Sequence, residues 1–161
     1  MIVADTSALI SIASVDLLDT VLTEFSVHTT ETVIEELEET GEYDDRHGEA
    51  AQTVLNRLDW IEIQSVNGEI TSSRIDQGEG SCVLLSRDID ARFLLTDDLR
   101  ALPELQQITE AKAAISPIVL KALIQRDALD REEALEKLDE LGEKRDWLGA
   151  PIYRRARNLF Q

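Results

Sequence analysis

Two apolar runs of this chain end in acids. Met1-Ile-Val-Ala-Asp5 closes on one carboxylate, and Arg92-Phe-Leu-Leu-Thr-Asp97-Asp98 closes on two. If both runs are central parallel strands, their ends share the edge of the sheet where ligands bind in open α/β folds. Two helix-like stretches can add to them. At about 100° per residue, Val33, Ile34 and Leu37 mark one apolar face. Glu35 and Glu39 point nearly away from that face, whereas Glu36 and Glu38 flank it, and either can reach a cleft at the rim of the core. Glu79 falls in the first turn of a helix opened by Gly78-Glu-Gly80. So many carboxylates without His or Cys beside them suit a hard cation, Mg²⁺ or Mn²⁺, and not zinc. Such an ion relieves their repulsion, activates water and neutralises charge on a phosphodiester. The reaction class is therefore metal-assisted phosphodiester hydrolysis.

The elements that must position these acids alternate along the chain. Ile2–Ala4 reads as a buried strand, followed by helices over residues 7–13 and 16–25. Ser26–His28 is a candidate second strand. Thr29 and Thr30 are candidate N-caps for a helix through Glu39 that stops near Gly41. Residues 42–46 read as loop, Gly48–Leu58 as helix and Trp60–Val66 as an alternating, half-buried strand. Asn67–Gly78 reads as loop, Gly78–Asp88 as helix, Arg92–Thr96 as strand, and Leu99–Leu105 as loop or short helix. Ile108–Ile115 is placed as an edge strand. From Pro117 the chain is helical: Asp130-Arg-Glu-Glu133 fits a capping box, and Gly149 with Pro151 set off a last helix through Leu159. Strands alternating with helices predict an α/β class with a mainly parallel sheet.

Composition sets further bounds. A chain of 161 residues with 43% hydrophobic content is expected to form one domain, residues 1–161, with a proper core. Its 33 acids against 16 bases give a formal charge of −17. Lysine is scarce, confined to Lys112, Lys121, Lys137 and Lys144. That balance fits a protein working in concentrated salt, where the Debye length is only about 3 Å at 1 M and carboxylates hardly repel one another. The single Cys82 excludes a disulfide framework and a Cys-rich zinc site. No apolar run approaches the roughly 18–20 residues of a membrane span, and no basic stretch precedes an apolar one at the N-terminus, so a cytoplasmic location is expected. Cys82, His28, His47, Trp60 and Trp147 read as packing or ordinary surface residues. Arg154, Arg155 and Arg157 read as a solvated helix face or partners for nearby acids. The negative charge opposes RNA binding, which rests on basic contacts to phosphate. Local arginines such as Arg100 would have to offset it.

Four motifs together resemble a family. Val-Ala-Asp5-Thr-Ser-Ala-Leu-Ile, Val33-Ile-Glu-Glu36-Leu, Gly78-Glu79-Gly-Ser and Leu-Leu-Thr96-Asp-Asp98 look like the ordered motifs of PIN-domain ribonucleases, VapC-type toxins among them. The resemblance covers about residues 1–105 and is looser over the helices beyond 116. It implies a three-layer α/β/α fold with a C-terminal helical extension and an acidic site for Mg²⁺ or Mn²⁺. It also implies an RNA substrate, often a small antitoxin partner, and a homodimer. Residue by residue, Asp5 matches the family's first acid and Glu36 the second, which decides against Glu38. Glu79 takes the third position, where aspartate is commoner, and Asp98 the fourth. Asp97 is an extra neighbour counted with the metal-binding set, its own role open. Thr6, Ser7 and Thr96 would assist through hydroxyl or backbone groups. Products with 5′-phosphate and 3′-hydroxyl ends would follow.

Two other classes compete. A catalytically degenerate module of the same fold could bind RNA or a protein partner, and the glutamate at position 79 leaves room for it. A phosphoryl-accepting aspartate enzyme or receiver domain suits strand-end aspartates, but no clear lysine follows the last strand.

Overall fold

The computed structural model describes residues Met1–Gln161. Five strands are present: β1 (Ile2–Ala4), β2 (Val27–Thr30), β3 (Glu62–Gln64), β4 (Phe93–Leu95) and β5 (Lys112–Ala114). Nine helices alternate with and follow them: α1 (Thr6–Ser14), α2 (Leu18–Glu24), α3 (Glu31–Thr40), α4 (Arg46–Leu55), α5 (Gln77–Asp88), α6 (Leu102–Ile108), α7 (Ile118–Gln125), α8 (Arg131–Lys144) and α9 (Pro151–Asn158). All strand pairs are parallel, in the order β3-β2-β1-β4-β5. Helices flank this sheet in a three-layer α/β/α arrangement.

The strand order carries the functional consequence. From β1 the chain moves outward to β2 and β3, then returns across the sheet to β4 and moves outward the other way to β5. The reversal lies between β1 and β4, and a crevice opens beyond the carboxyl ends of strands at such a point. Register keeps those two ends level, with Ala4 opposite Leu95. The Asp5 amide donates to the Leu95 carbonyl at 3.0 Å, extending the ladder to the first acid. β1 is short but buried on both faces, as a central parallel strand must be, and Ile2, Val3 and Ala4 are correspondingly all apolar. α5 packs across β1, β2 and β4. Its Gly80 is required by close approach, since a Cβ there would lie 1.8 Å from the Ile70 carbonyl oxygen.

The C-terminal helices join the same hydrophobic cluster through Leu138, Leu141, Ile152 and Phe160. Two of the scarce lysines fasten α8 to α1: Lys137 Nζ donates to the Val15 carbonyl at 2.8 Å and Lys144 Nζ to that of Ser14 at 3.0 Å. These are carbonyls at the end of α1, where the helix dipole favours a cation. α1, α5, α7 and α8 end alike. In each, an aspartate with positive φ (Asp16, Asp90, Asp127, Asp146) follows the cap residue. The next amide closes the turn on Ile12, Ser86, Leu123 and Gly142 respectively.

Most elements lie where the sequence predicts them, with instructive differences. Trp60 belongs to a 3-10 turn over Leu58–Trp60 and is 68% exposed, so it neither packs nor opens β3. Ile61 is the residue that turns inward, which leaves an edge strand of three residues. α4 begins at Arg46 behind an Asp45 cap, earlier than Gly48, and ends at Leu55. At Asp130 the N-cap bond forms, Glu133 N to Oδ1 at 2.7 Å. A reciprocal capping box occurs at Asp76 and Glu79, where the same D-x-x-E signal stands in the sequence. Cys82 and Trp147 are buried as expected. Arg157 pairs with Asp139 at 3.3 Å. No single helix is long and apolar enough to cross a membrane.

Candidate active site

Asp5 is the first residue beyond β1 and the N-cap of α1. Its Oδ1 accepts from the Ala8 amide at 3.0 Å and from the Ser7 hydroxyl at 2.8 Å. The side chain is 3% exposed. That burial pushes its carboxyl from the ordinary 3.8 to about 7, against the donors around it.

Glu36 comes from the middle of α3. Val33 and Leu37 face the core, Glu35 and Glu38 face solvent, and Glu36 lies between them, half-buried. The Thr6 hydroxyl donates to its Oε1. Gly78 of α5 presses on the same group: a Cβ there would stand 2.2 Å from Glu36 Oε1. The glycine therefore lets α3 and α5 meet over the carboxylate. Burial also raises the Glu36 carboxyl. Glu39, expected to point to solvent, reaches the rim of the cleft one turn further along α3.

Glu79 is held by the capping box that starts α5. Its Oε1 accepts from the Asp76 amide at 2.9 Å, and its own amide donates to Asp76 Oδ1 at 2.8 Å. Burial pushes its carboxyl well above the usual range, and the negative charges of Asp76 and Asp98 add to this. Asp98 sits beyond β4, its amide donating to Thr96 Oγ1 at 3.2 Å and its Oδ1 accepting from the Arg100 amide at 2.9 Å.

These four carboxylates line one cleft of about 390 Å³, with Glu39, Asp76 and Arg145 also on its wall. Asp97 is not among them. Successive side chains on an extended segment point to opposite sides, so the residue next to Asp98 faces away from the cleft. Its carboxylate is taken by Ser116, from the amide at 2.6 Å and the hydroxyl at 2.7 Å. Asp97 thus ties the end of β4 to the segment after β5, and the structure does not bring it to the metal-binding set. Burial raises its carboxyl too. Ser7 bridges the two strand ends, donating to Asp5 and accepting from the Asp97 amide at 2.9 Å. Arg100 is engaged elsewhere, its guanidinium donating to the Ser73 carbonyl at 3.1 Å.

Sequence reasoning missed Asp76 and Arg145. The capping-box spacing could have found Asp76. Nothing in the pattern marks Arg145, which is brought in by the packing of α8.

The donor set fits a hard divalent cation in chemistry. In each of the four acids a hydrogen bond from the protein holds one oxygen: Oδ1 of Asp5, Oε1 of Glu36, Oε1 of Glu79 and Oδ1 of Asp98. The side chains are thereby oriented on the cleft. Crowded carboxyls with raised pKa values are what a cation would relieve. No three of these side chains already stand as a closed ligand cluster.

A family model described as PIN domain matches residues 1–161. Comparison with curated proteins gives no match. The family match runs through every acid of the cleft and on through the C-terminal helices, and the chain belongs to the PIN-domain family, whose members are generally metal-dependent nucleases.

Proposed function

We propose that this protein is a metal-dependent endoribonuclease hydrolysing RNA phosphodiester bonds. The reading is carried by one observation: acids from the ends of β1 and β4 and from α3 and α5 converge on a single cleft at the reversal of strand order. Asp5, Glu79 and Asp98 would hold Mg²⁺ or Mn²⁺, directly or through water, and Glu36 would complete the site or orient the attacking water. A bound ion supplies an activated water and neutralises charge on the phosphoryl oxygens. The protein's own share is orientation: Thr6 fixes Glu36, Ser7 fixes Asp5, and Asp76 fixes Glu79. Burial raises the Asp5 carboxyl to about 7, so holding an ion there would require it as the carboxylate. In this reading the substrate is RNA and the products carry 5′-phosphate and 3′-hydroxyl ends. The protein acts in the cytoplasm as a homodimer, as the toxin restrained by a small antitoxin, in a salt-rich cell that suits its charge of −17.

Two observations favour the second reading, a degenerate module that binds without cleaving. No three acids are yet gathered as ligands, and Glu79 is already engaged in a capping box. Incubation of labelled RNA in molar KCl, with Mn²⁺ or with EDTA, separates the two. Cleavage that requires Mn²⁺ and is lost in Asp5→Asn supports the enzyme. Equal RNA binding by both proteins, with no cleavage by either, establishes the module instead.

A further inference from the structure

A single base faces the acidic cleft. Arg145 stands on the wall shared by Asp5, Glu36, Glu79 and Asp98, and the other residues lining it include no lysine, arginine or histidine. Its backbone is fixed from both sides. It caps the C-terminus of α8; Asp146 then takes a φ of 56°, and the amide of buried Trp147 closes the turn on the Gly142 carbonyl at 2.7 Å. α8 is in turn held to α1 by Lys137 and Lys144, so Arg145 cannot drift relative to Asp5.

The guanidinium is also uncommitted. It forms none of the chain's ion pairs, which involve Arg57, Lys137, Lys144 and Arg157. Its Nε is buried without a hydrogen-bond partner. Burial weighs against its charge and lowers its pKa from the ordinary value, and Asp97 and Asp5 offset this only in part. A guanidinium presents a planar fork of N–H donors that matches phosphate oxygens, and its unused donors have a cost until something accepts from them. In a protein of charge −17, a polyanion needs a cation at the place where it meets the acids.

We propose that Arg145 is a phosphate-binding residue of the cleft, donating from its guanidinium to a non-bridging oxygen of the RNA phosphate at or beside the scissile bond. This rests on the ribonuclease reading above and adds a role for the C-terminal extension. The bare alternative is that Arg145 only balances Asp97 and Asp5 and so holds the loop between α8 and α9.

The test uses the whole protein and a fluorescent single-stranded RNA. Binding is measured by anisotropy in EDTA across a series of KCl concentrations, cleavage in Mn²⁺, and stability by thermal melting. Arg145→Gln is expected to weaken binding roughly tenfold and to flatten the slope of log K against log salt by about 0.7, the loss of one single-strand phosphate contact. Arg145→Lys is expected to restore the slope but only part of the affinity. An unchanged salt slope in Arg145→Gln, with lowered melting temperature and lowered cleavage, assigns the residue to holding the loop and overturns the proposal. Cleavage and slope both equal to wild type overturn it while leaving the ribonuclease intact. An Arg145-dependent slope in a protein that never cleaves upholds the phosphate contact and removes the hydrolysis. Wild-type protein that binds no RNA removes both. If the glutamine variant fails to fold, Arg145→Lys carries the test: wild-type affinity with the fork replaced by a point charge overturns the proposal.

Discussion

Replacing Asp5 by asparagine should stabilise the metal-free protein while abolishing its chemistry. The carboxyl is buried and its pKa is raised from 3.8 to about 7, so ionising it opposes folding. The folded state holds this proton more tightly than the unfolded chain does. Stability from this group is therefore complete below about pH 4 and declines as pH rises from about 4 to about 7, after which the loss is full. Each pH unit across that interval removes about 1.4 kcal/mol, so the ionised carboxylate costs on the order of 4 kcal/mol above pH 7. Asparagine keeps an Oδ1 acceptor for the Ala8 amide and the Ser7 hydroxyl, so the cap on α1 survives. Its added amide hydrogens lack a ready partner, which removes about 1–2 kcal/mol of the gain. The expected result in EDTA at pH 8 is a gain of about 2–3 kcal/mol, or roughly 5–10 °C in melting temperature for a chain of this size. The gap should close near pH 5 and reverse towards pH 4, where only the amide cost of about 1–2 kcal/mol remains. With Mn²⁺ added, only the wild type should gain stability, by mass action on the folded state. An asparagine variant no more stable than wild type in EDTA at pH 8, or a gap independent of pH, would refute the reasoning.

Other perturbations follow from the packing around the cleft. Gly78→Ala places a methyl 2.2 Å from Glu36 Oε1; the carboxylate end can swing away, so melting should change little while cleavage falls by up to about 100-fold through misplacement. Gly80→Ala meets the Ile70 backbone carbonyl at 1.8 Å, which cannot swing, and the loss of about 3 kcal/mol or more expected from such overpacking is read by urea denaturation. Ser116→Ala removes the hydroxyl from Asp97 Oδ2 and should cost about 1.5–3 kcal/mol in thermal melting at pH 8. Asp90→Gly relieves a φ of 51° and removes an acid from the C-terminal end of α5; calorimetry should show a gain of about 0.5–1 kcal/mol at low salt that shrinks in molar KCl.

The order of elements is legible in the sequence because each runs on one strong period. Ile2–Ala4 and Phe93–Leu95 are uniformly apolar and so must be central strands, and Val33, Ile34 and Leu37 mark the inner stripe of α3. The acids of the cleft are legible for the same reason, since the ends of buried parallel strands have one place to go. What stays hidden depends on side-chain direction and on distance along the chain. Asp97 and Asp98 are indistinguishable as letters, yet one faces Ser116 and the other the cleft. An ideal helical wheel assigns Glu39 to solvent, while the real cleft is wide enough to reach it. Alternation puts Trp60 on the outward face with Glu62 and Gln64, and the letters alone do not show where that strand begins. The edge strand is too short to include it.

α1 works as a splint between the two ends of the chain. At nine residues it is only about 13 Å long, with Asp5 at its head and the carbonyls of Ser14 and Val15 gripped by α8 at its foot. A fragment trimmed before residue 116 would retain every acid of the cleft. Yet it would bare the apolar flank of α1, release the foot of that helix and lose the Ser116 clasp on the adjoining strand end. The motif-poor tail is thus part of the framework that keeps the carboxylates in register, and shortening it would be felt first where the chemistry is placed.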